Sequence, residues 1–364
     1  MPKEHMIYEW AMHARGQMVK IPEKINIHED YLRYLDENLI YSNYKSLWEM
    51  FYSIYTDVAE HPDEFNLPLY GADQQRMGQG FNEVRSAERK HISFLRLLFT
   101  CGEVDGGRFV ADVEKLKTTI REYKKISKVD LFFKKFCDYG FVFNGLKNYK
   151  LPSNGTFIVE YPDSPYLLYI LKLFAEKSTR FNISAFTRVS YRVLESGIDD
   201  GSLLNGPAHI ADQAEDENER EFIYKFHQAA VDFGCNPVYG VDGSESGNRP
   251  GETYIRYFKA NLPAYFFALK YNFGKLTTSL RIRNAEKCME YLSQCPEDVK
   301  DMFRQGNDGC YKRADGSCKG GIRYTFEGEE KWKCCCWGTS FYAPAIVENV
   351  PHYIKLVELG EKKR

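Results

Sequence analysis

The sequence predicts an α+β fold, with a helical N-terminal half and a C-terminal antiparallel β-meander flanked by helices and followed by a cysteine-rich hairpin. Three observations predict it. Apolar residues recur at helical spacing in several stretches of the first 180 residues. Alternation replaces that spacing in Tyr254–Lys259 and Leu276–Arg283. Five of the ten cysteines crowd into residues 310–336.

Leu32, Leu35, Leu39, Tyr44, Leu47, Met50, Phe51 and Ile54 mark one long helix or two shorter ones over 29–59, closed at His61-Pro62. A loop bearing Pro and Gly, from Pro62 to Gly80, ends an N-terminal helical region, 1–80. The next helix covers 83–100, with Ile92, Leu95, Leu98 and Phe99 on its buried side, until the glycines of 102–107 break it. Another covers 108–124. A further one runs over 127–139, where Ser127 and Asp130 form a capping-box-like start and Gly140 gives the stop. Short β-runs at 141–143 and 156–161 surround a polar loop, and Asp163 with Pro165 opens a helix to about Lys177. Three helices followed by strand, loop and strand is the order of a winged-helix module, so 81–196 reads as a winged-helix-like domain.

Glycines between 197 and 206 and the acidic run DQAEDENERE mark a boundary, with a second α+β domain at 216–364. A helix over 216–233 ends at Gly234. Turn residues at 261–263 and 272–274 divide the following segment into a three-stranded meander. Short helices at 284–294 and 297–305, a hairpin within IRYTFEGEEKWKCCC and a last helix over 348–359 complete the chain.

A hydrophobic share of 43% supports proper cores and argues against disorder. Aromatics reach 15%, which suits thick cores, binding clefts or interfaces alike. The formal net charge of −2 gives no global reason to expect a polyanion partner, although local patches still can bind one. MPKEHMIYEWAMHARGQMVK lacks the pattern of a signal peptide, and the longest apolar stretches are too short to span a bilayer, so a cytoplasmic location is expected. In that reducing setting clustered cysteines read as metal ligands or free thiols.

The cysteine cluster comprises Cys310, Cys318, Cys334, Cys335 and Cys336. A tetrahedral zinc site needs four thiolates converging from two short elements, and a loop with two cysteines beside a strand with two more supplies them. Strand alternation puts Cys334 and Cys336 on one face and Cys335 on the other. The expected ligands of a structural zinc are therefore Cys310, Cys318, Cys334 and Cys336. The bland alternative is that the thiols pack as small hydrophobes.

A second constellation is basic. Residues 115–135 carry eight Lys and Arg against Glu122 and Asp130, and Lys124, Lys128 and Lys135 are candidates for phosphate contact. A third is aromatic: Tyr254, Tyr257, Tyr265 and Phe267 on the meander are candidates to wall a ligand cleft, or else they fill the space between sheet and helices. No catalytic pattern accompanies these. Asp232-Phe-Gly234 is a helix stop without the other kinase motifs, the loop at 240–247 lacks a P-loop lysine, and no two of the eight histidines sit at HExxH spacing.

The stretch GIRYTFEGEEKWKCCCWGTSFYAPAIVENVPHYIKLVELG resembles the tail of uncharacterised bacterial proteins in which cysteines surround a small hairpin and a closing helix ends the chain. The resemblance implies a bacterial cytosolic protein with a zinc-supported end and carries no activity. The sequence reading is a non-catalytic protein that senses or binds a small molecule or a protein partner. The alternative is a DNA-binding transcriptional regulator, and an enzyme comes third.

Overall fold

A computed structural model describes residues 6–67, 90–123, 126, 128–178, 183–197, 206–242, 252–259, 264–272, 275–305, 321–333 and 340–361. The chain divides into two compact units, residues 1–205 with 241–251, and residues 206–240 with 252–364.

The first unit opens with α1 (Met6–Gly16), α2 (Glu29–Leu32) and α3 (Glu37–Glu60). The periodic stretch is thus two helices, because Asp36 caps a fresh start by accepting the Asn38 N–H at 2.8 Å. Helix α4 (Lys90–Phe99) leads into a hairpin of β1 (Gly102–Asp105) and β2 (Arg108–Asp112). After it come α5 (Val113–Tyr123), α6 (Val129–Cys137), β3 (Val142–Asn144), β4 (Thr156–Glu160) and α7 (Tyr166–Lys177). Short helices α8 (Ile183–Thr187) and α9 (Arg192–Glu195) close the unit. One hydrophobic core runs from Ile7 to Leu194, so residues on both sides of position 80 share it.

The expected helix over 108–124 is corrected here, since its first five residues form β2. Gly106 and Gly107 take φ of +54° and +79°, the two successive positive values that a tight hairpin turn requires and that glycine adopts without strain. Asp112 then accepts the Lys115 N–H at 2.7 Å and starts α5. The expected cap of the next helix is also displaced: Lys128, at φ +57°, is the N-cap residue of α6, and Ser127 lies outside the described residues.

The four strands form an antiparallel sheet in the order β1-β2-β4-β3. Leaving aside β1, the sequence helix, strand, helix, helix, strand, strand with its last strand in the middle is winged-helix topology. In that order α5 and α6 take the places of the helix pair and β3-β4 the place of the wing. An aromatic stack fixes α6. Phe94 of α4 lies 5.1 Å from Phe132 and 5.2 Å from Phe133, while Phe133 reaches Phe143 and Phe157 of the wing at 4.9 and 5.5 Å. Burying a Phe side chain contributes about 1.5–3 kcal/mol.

The second unit has α10 (Ala208–Ala211) and α11 (Glu217–Asp232), the latter capped by Asp216 and stopped at Gly234. Its sheet combines β5 (Asn236–Asp242), β6 (Glu252–Phe258), β7 (Phe267–Asn272) and β8 (Lys275–Arg281). A two-stranded sheet of β9 (Ile322–Phe326) and β10 (Glu329–Lys333) is separate, and β11 (Ser340–Ala343) joins the edge of β8, giving the order β11-β8-β7-β6-β5. The expected meander is β6-β7-β8. Helices α12 (Met289–Leu292), α13 (Glu297–Arg304) and α14 (Val350–Glu361) complete the unit. Tyr257, Phe267, Leu280 and Phe341 stand opposite one another across the strands and are fully buried. Among the described residues no helix is long and apolar enough to cross a membrane.

Candidate nucleic-acid interface

Helix α6 has nine residues and two distinct faces. Phe132, Phe133 and Phe136 are buried, which turns Lys128, Leu131, Lys134 and Asp138 outward at spacings of three and four. The wing loop between β3 and β4 adds Lys147 and Lys150, both exposed. Across residues 113–155 the sequence has ten Lys and Arg against four Asp and Glu, in a chain whose net charge is −2. The module therefore concentrates positive charge that the rest of the chain offsets.

The pairing of these cations separates them into two groups. Lys117 reaches Glu114 at 3.4 Å and the Ser153 carbonyl. Lys135 is held by Glu64 at 2.6 Å and Asp138 at 3.2 Å, and sits 4.8 Å from the centre of the Phe65 ring. Burial works to lower its pKa, but hydrogen bonds to Glu64 and Asp138 outweigh that and hold it above the ordinary lysine value. Lys135 thus fastens α6 to the segment after α3. By contrast Lys115, Arg121, Lys128, Lys134, Lys147 and Lys150 are all exposed, and none forms an ion pair among the described residues. Of the three lysines singled out from sequence, Lys128 is exposed, Lys135 is committed to carboxylates, and Lys124 lies outside the described residues. Lys147 and Lys150 were missed because a wing is recognisable only once β3 and β4 are seen to pair.

The four meander aromatics do not converge. Tyr254 and Tyr257 are three residues apart on one strand and so face opposite sides. Tyr257 and Phe267 are core residues, packed on Phe226, and the Tyr257 hydroxyl lies 3.1 Å from His227 Nδ1. Tyr254 and Tyr265 are half-buried, with the Arg256 guanidinium 4.0 and 6.0 Å from their ring centres.

An aromatic-walled cavity of about 240 Å³ lies instead in the first unit, between Tyr31, Tyr34 and Tyr169. The Tyr31 hydroxyl donates to the Ser196 carbonyl at 2.8 Å, and Lys172 on the cavity wall pairs with Glu176 at 2.7 Å and Glu103 at 3.3 Å. No sequence spacing links Tyr31 to Tyr169, so only the packing of α2 by α7 could reveal it.

Cys310, Cys318, Cys334 and Cys336, like Cys335, lie outside the described residues. Among the described residues no group of three or more His, Cys, Asp or Glu is placed to hold a metal. One Cys–His approach that the sequence did not disclose occurs in the second unit, with Cys295 Sγ 3.7 Å from His352 Nδ1. It does not make a nucleophile: burial pushes the Cys295 thiol pKa up, Sγ donates to the Tyr291 carbonyl at 3.5 Å, and the Tyr291 hydroxyl approaches the same imidazole nitrogen at 2.8 Å.

No family model matches the chain, and neither a curated protein nor a solved structure matches it.

Proposed function

We propose that residues 90–160 bind duplex DNA through α6 and the β3-β4 wing. The observation that carries this reading is the set of exposed cations without carboxylate partners on α5, α6 and the wing of a winged-helix module. In helix-turn-helix binding the second helix enters the major groove, where Lys128 and Lys134 meet phosphates or purine edges and Leu131 meets a thymine methyl. Lys147 and Lys150 on the wing meet the backbone. Phosphate contacts release counterions, so affinity for a random duplex should fall linearly in log–log form with salt, by a slope near −0.9 per contact. Fluorescence anisotropy of a labelled duplex from 50 to 300 mM salt tests this. A slope near zero, or no binding at the lowest salt, rejects it.

The chain also has a structural zinc in this reading, held by Cys310, Cys318, Cys334 and Cys336. What supports it is the register of β9 and β10, in which Ile322 stands opposite Lys333. In the sequence Cys318 is four residues before the first and Cys334 is one after the second. Zinc would supply the C-terminal segment with cross-linking that its sparse apolar content does not. The second functional reading, a protein that binds a small molecule, draws its support from the tyrosine-walled cavity and not from the meander. Equilibrium dialysis with a metabolite mixture, repeated with Tyr34→Ala, tests that reading.

A further inference from the structure

The tip of the wing combines backbone strain with a tether. Lys147, Asn148, Tyr149 and Lys150 form a two-residue turn in which the Lys150 N–H donates to the Lys147 carbonyl at 3.1 Å. Asn148 and Tyr149 take φ of +52° and +59°, as both central residues of a type I′ turn do. Asn suits the first of these positions, but the second favours glycine, and a bulky side chain there is strained. Such strain persists where surrounding contacts hold it in place. Here the contact is with α6. Tyr149 keeps 39% of its surface exposed, yet its hydroxyl turns back to the Cys137 thiol, whose own Sγ donates to the Phe133 carbonyl at 3.4 Å. Burial pushes the Cys137 thiol pKa up, and the hydrogen bond from Tyr149 works against that rise. Two further ties fasten the same loop to α5: the Gly155 carbonyl accepts from the Val113 N–H at 3.0 Å, and the Ser153 carbonyl accepts from Lys117. Lys147 and Lys150 are left exposed at the two ends of the turn.

We propose that Tyr149 is a positioning residue: through Cys137 it fixes the wing tip on α6, so that Lys147 and Lys150 stand at a set reach from Lys128 and Lys134. A glycine at 149 would relieve the turn and release the tip, whereas tyrosine keeps the tip ordered in advance. Ordering a loop during association subtracts from affinity, so cations already in place on two elements grip one polyanion more tightly than the same cations on a loose loop. The rigidity of the tip stands on the contacts with Cys137 and α5 alone. Its effect on a duplex rests on the DNA-binding reading, and there Tyr149 acts through the two lysines and not by touching the duplex.

Hydrogen exchange of the full chain, read at the wing loop, tests the tip. Tyr149→Gly should speed exchange of the Lys150 amide about tenfold, although glycine is the better turn residue. Tyr149→Phe and Cys137→Ala should each speed it roughly threefold, and the two together no further, because both remove one contact. Exchange unchanged or slowed in Tyr149→Gly, or additive effects in the double variant, overturns the role. Fluorescence anisotropy with a labelled random duplex reads the consequence. Tyr149→Gly should leave the melting temperature unchanged, since the strain it relieves offsets the contact it removes, and should weaken duplex binding about tenfold. In a chain already carrying Lys147→Ala and Lys150→Ala the same change should weaken binding no further. A loss that survives in that background means that Tyr149 touches the duplex itself and overturns positioning, and no loss in either background overturns the coupling. A wild-type chain that binds no duplex, with exchange responding as expected, removes the DNA reading while leaving the fixed tip standing.

Discussion

In the second unit, around the five-stranded sheet, several cations are committed to the fold. Lys259 lies 2.9 Å from Glu361 and 3.5 Å above the Phe233 ring, Arg304 contacts Glu297, Asp301 and Glu327, and Lys333 sits 4.9 Å from the Phe341 ring centre. Around the four-stranded sheet Lys128 and Lys134 at α6 and Lys147 and Lys150 on the wing form no ion pair among the described residues, while an all-phenylalanine stack does the holding. A helix anchored by Phe132, Phe133 and Phe136 needs neither Lys128 nor Lys134 for stability. The difference teaches that charge count says little about binding, whereas charge left without a partner on a rigid element says much.

The comparison can be broken most decisively at the cysteines. If the C-terminal end relies on metal where the first unit relies on rings, elemental analysis should find one zinc per chain. A structural zinc supplies an apparent ~10–16 kcal/mol in favourable cases, so Cys310→Ser or Cys318→Ser should release it and expose that end to protease, with Cys335→Ser much milder. Next in size is Phe133→Ala, expected to lower stability by about 3–5 kcal/mol in denaturant titration because it empties the centre of the α4, α6 and wing stack. Changing Lys128, Lys134, Lys147 and Lys150 together to Ala should leave stability within about 1 kcal/mol. The same variant should weaken duplex binding on the order of 100-fold and flatten the salt slope by about 0.9 per lost contact.

A smaller effect follows from His91. Its pKa is about 3 when folded against an ordinary 6.5, so below pH 6.5 the unfolded chain takes up the proton that the folded one refuses. This contribution to stability is constant above pH 6.5 and falls by about 1.4 kcal/mol per unit as pH drops from there toward 3. Urea titrations at pH 7 and pH 5 should show His91→Phe losing about 2 kcal/mol less than wild type over that interval. The smallest change sharpens the division between the two kinds of lysine: Lys135→Met should lower stability by about 0.5–1 kcal/mol and leave the salt slope of duplex binding unaltered.

Much of the architecture is legible in the sequence because it rests on local signals. Asp216 and Gly234 bound α11, Pro165 stands at the start of α7, and alternation marks β6 and β8. Less local features are hidden. The Gly106-Gly107 pair reads as a helix breaker unless Glu103 and Asp105 are already known to pair with β2. Lys135 looks like any other member of a basic run, since Glu64 is 71 residues away. The tyrosine-walled cavity joins residues 31–34 and 169–177, and no periodicity connects those segments. The candidate interface was thus half visible, as a basic helix, while the wing and the cavity waited on tertiary pairing.

The β1 hairpin arm has a bearing on how copies of this chain avoid one another. A winged-helix sheet without it would end on β2, a five-residue strand offering unpaired amides to any passing strand. Here the margin is β1 instead, four residues long with Glu103 and Asp105 projecting at its exposed positions, and the opposite margin, β3, is only three residues long. Gly102 permits the arm to lie flat, since a methyl group there would stand 2.1 Å from the Val110 carbonyl oxygen. Brevity at one margin and acidic side chains at the other make the sheet a poor template for stacking into fibres, however crowded copies of the module become.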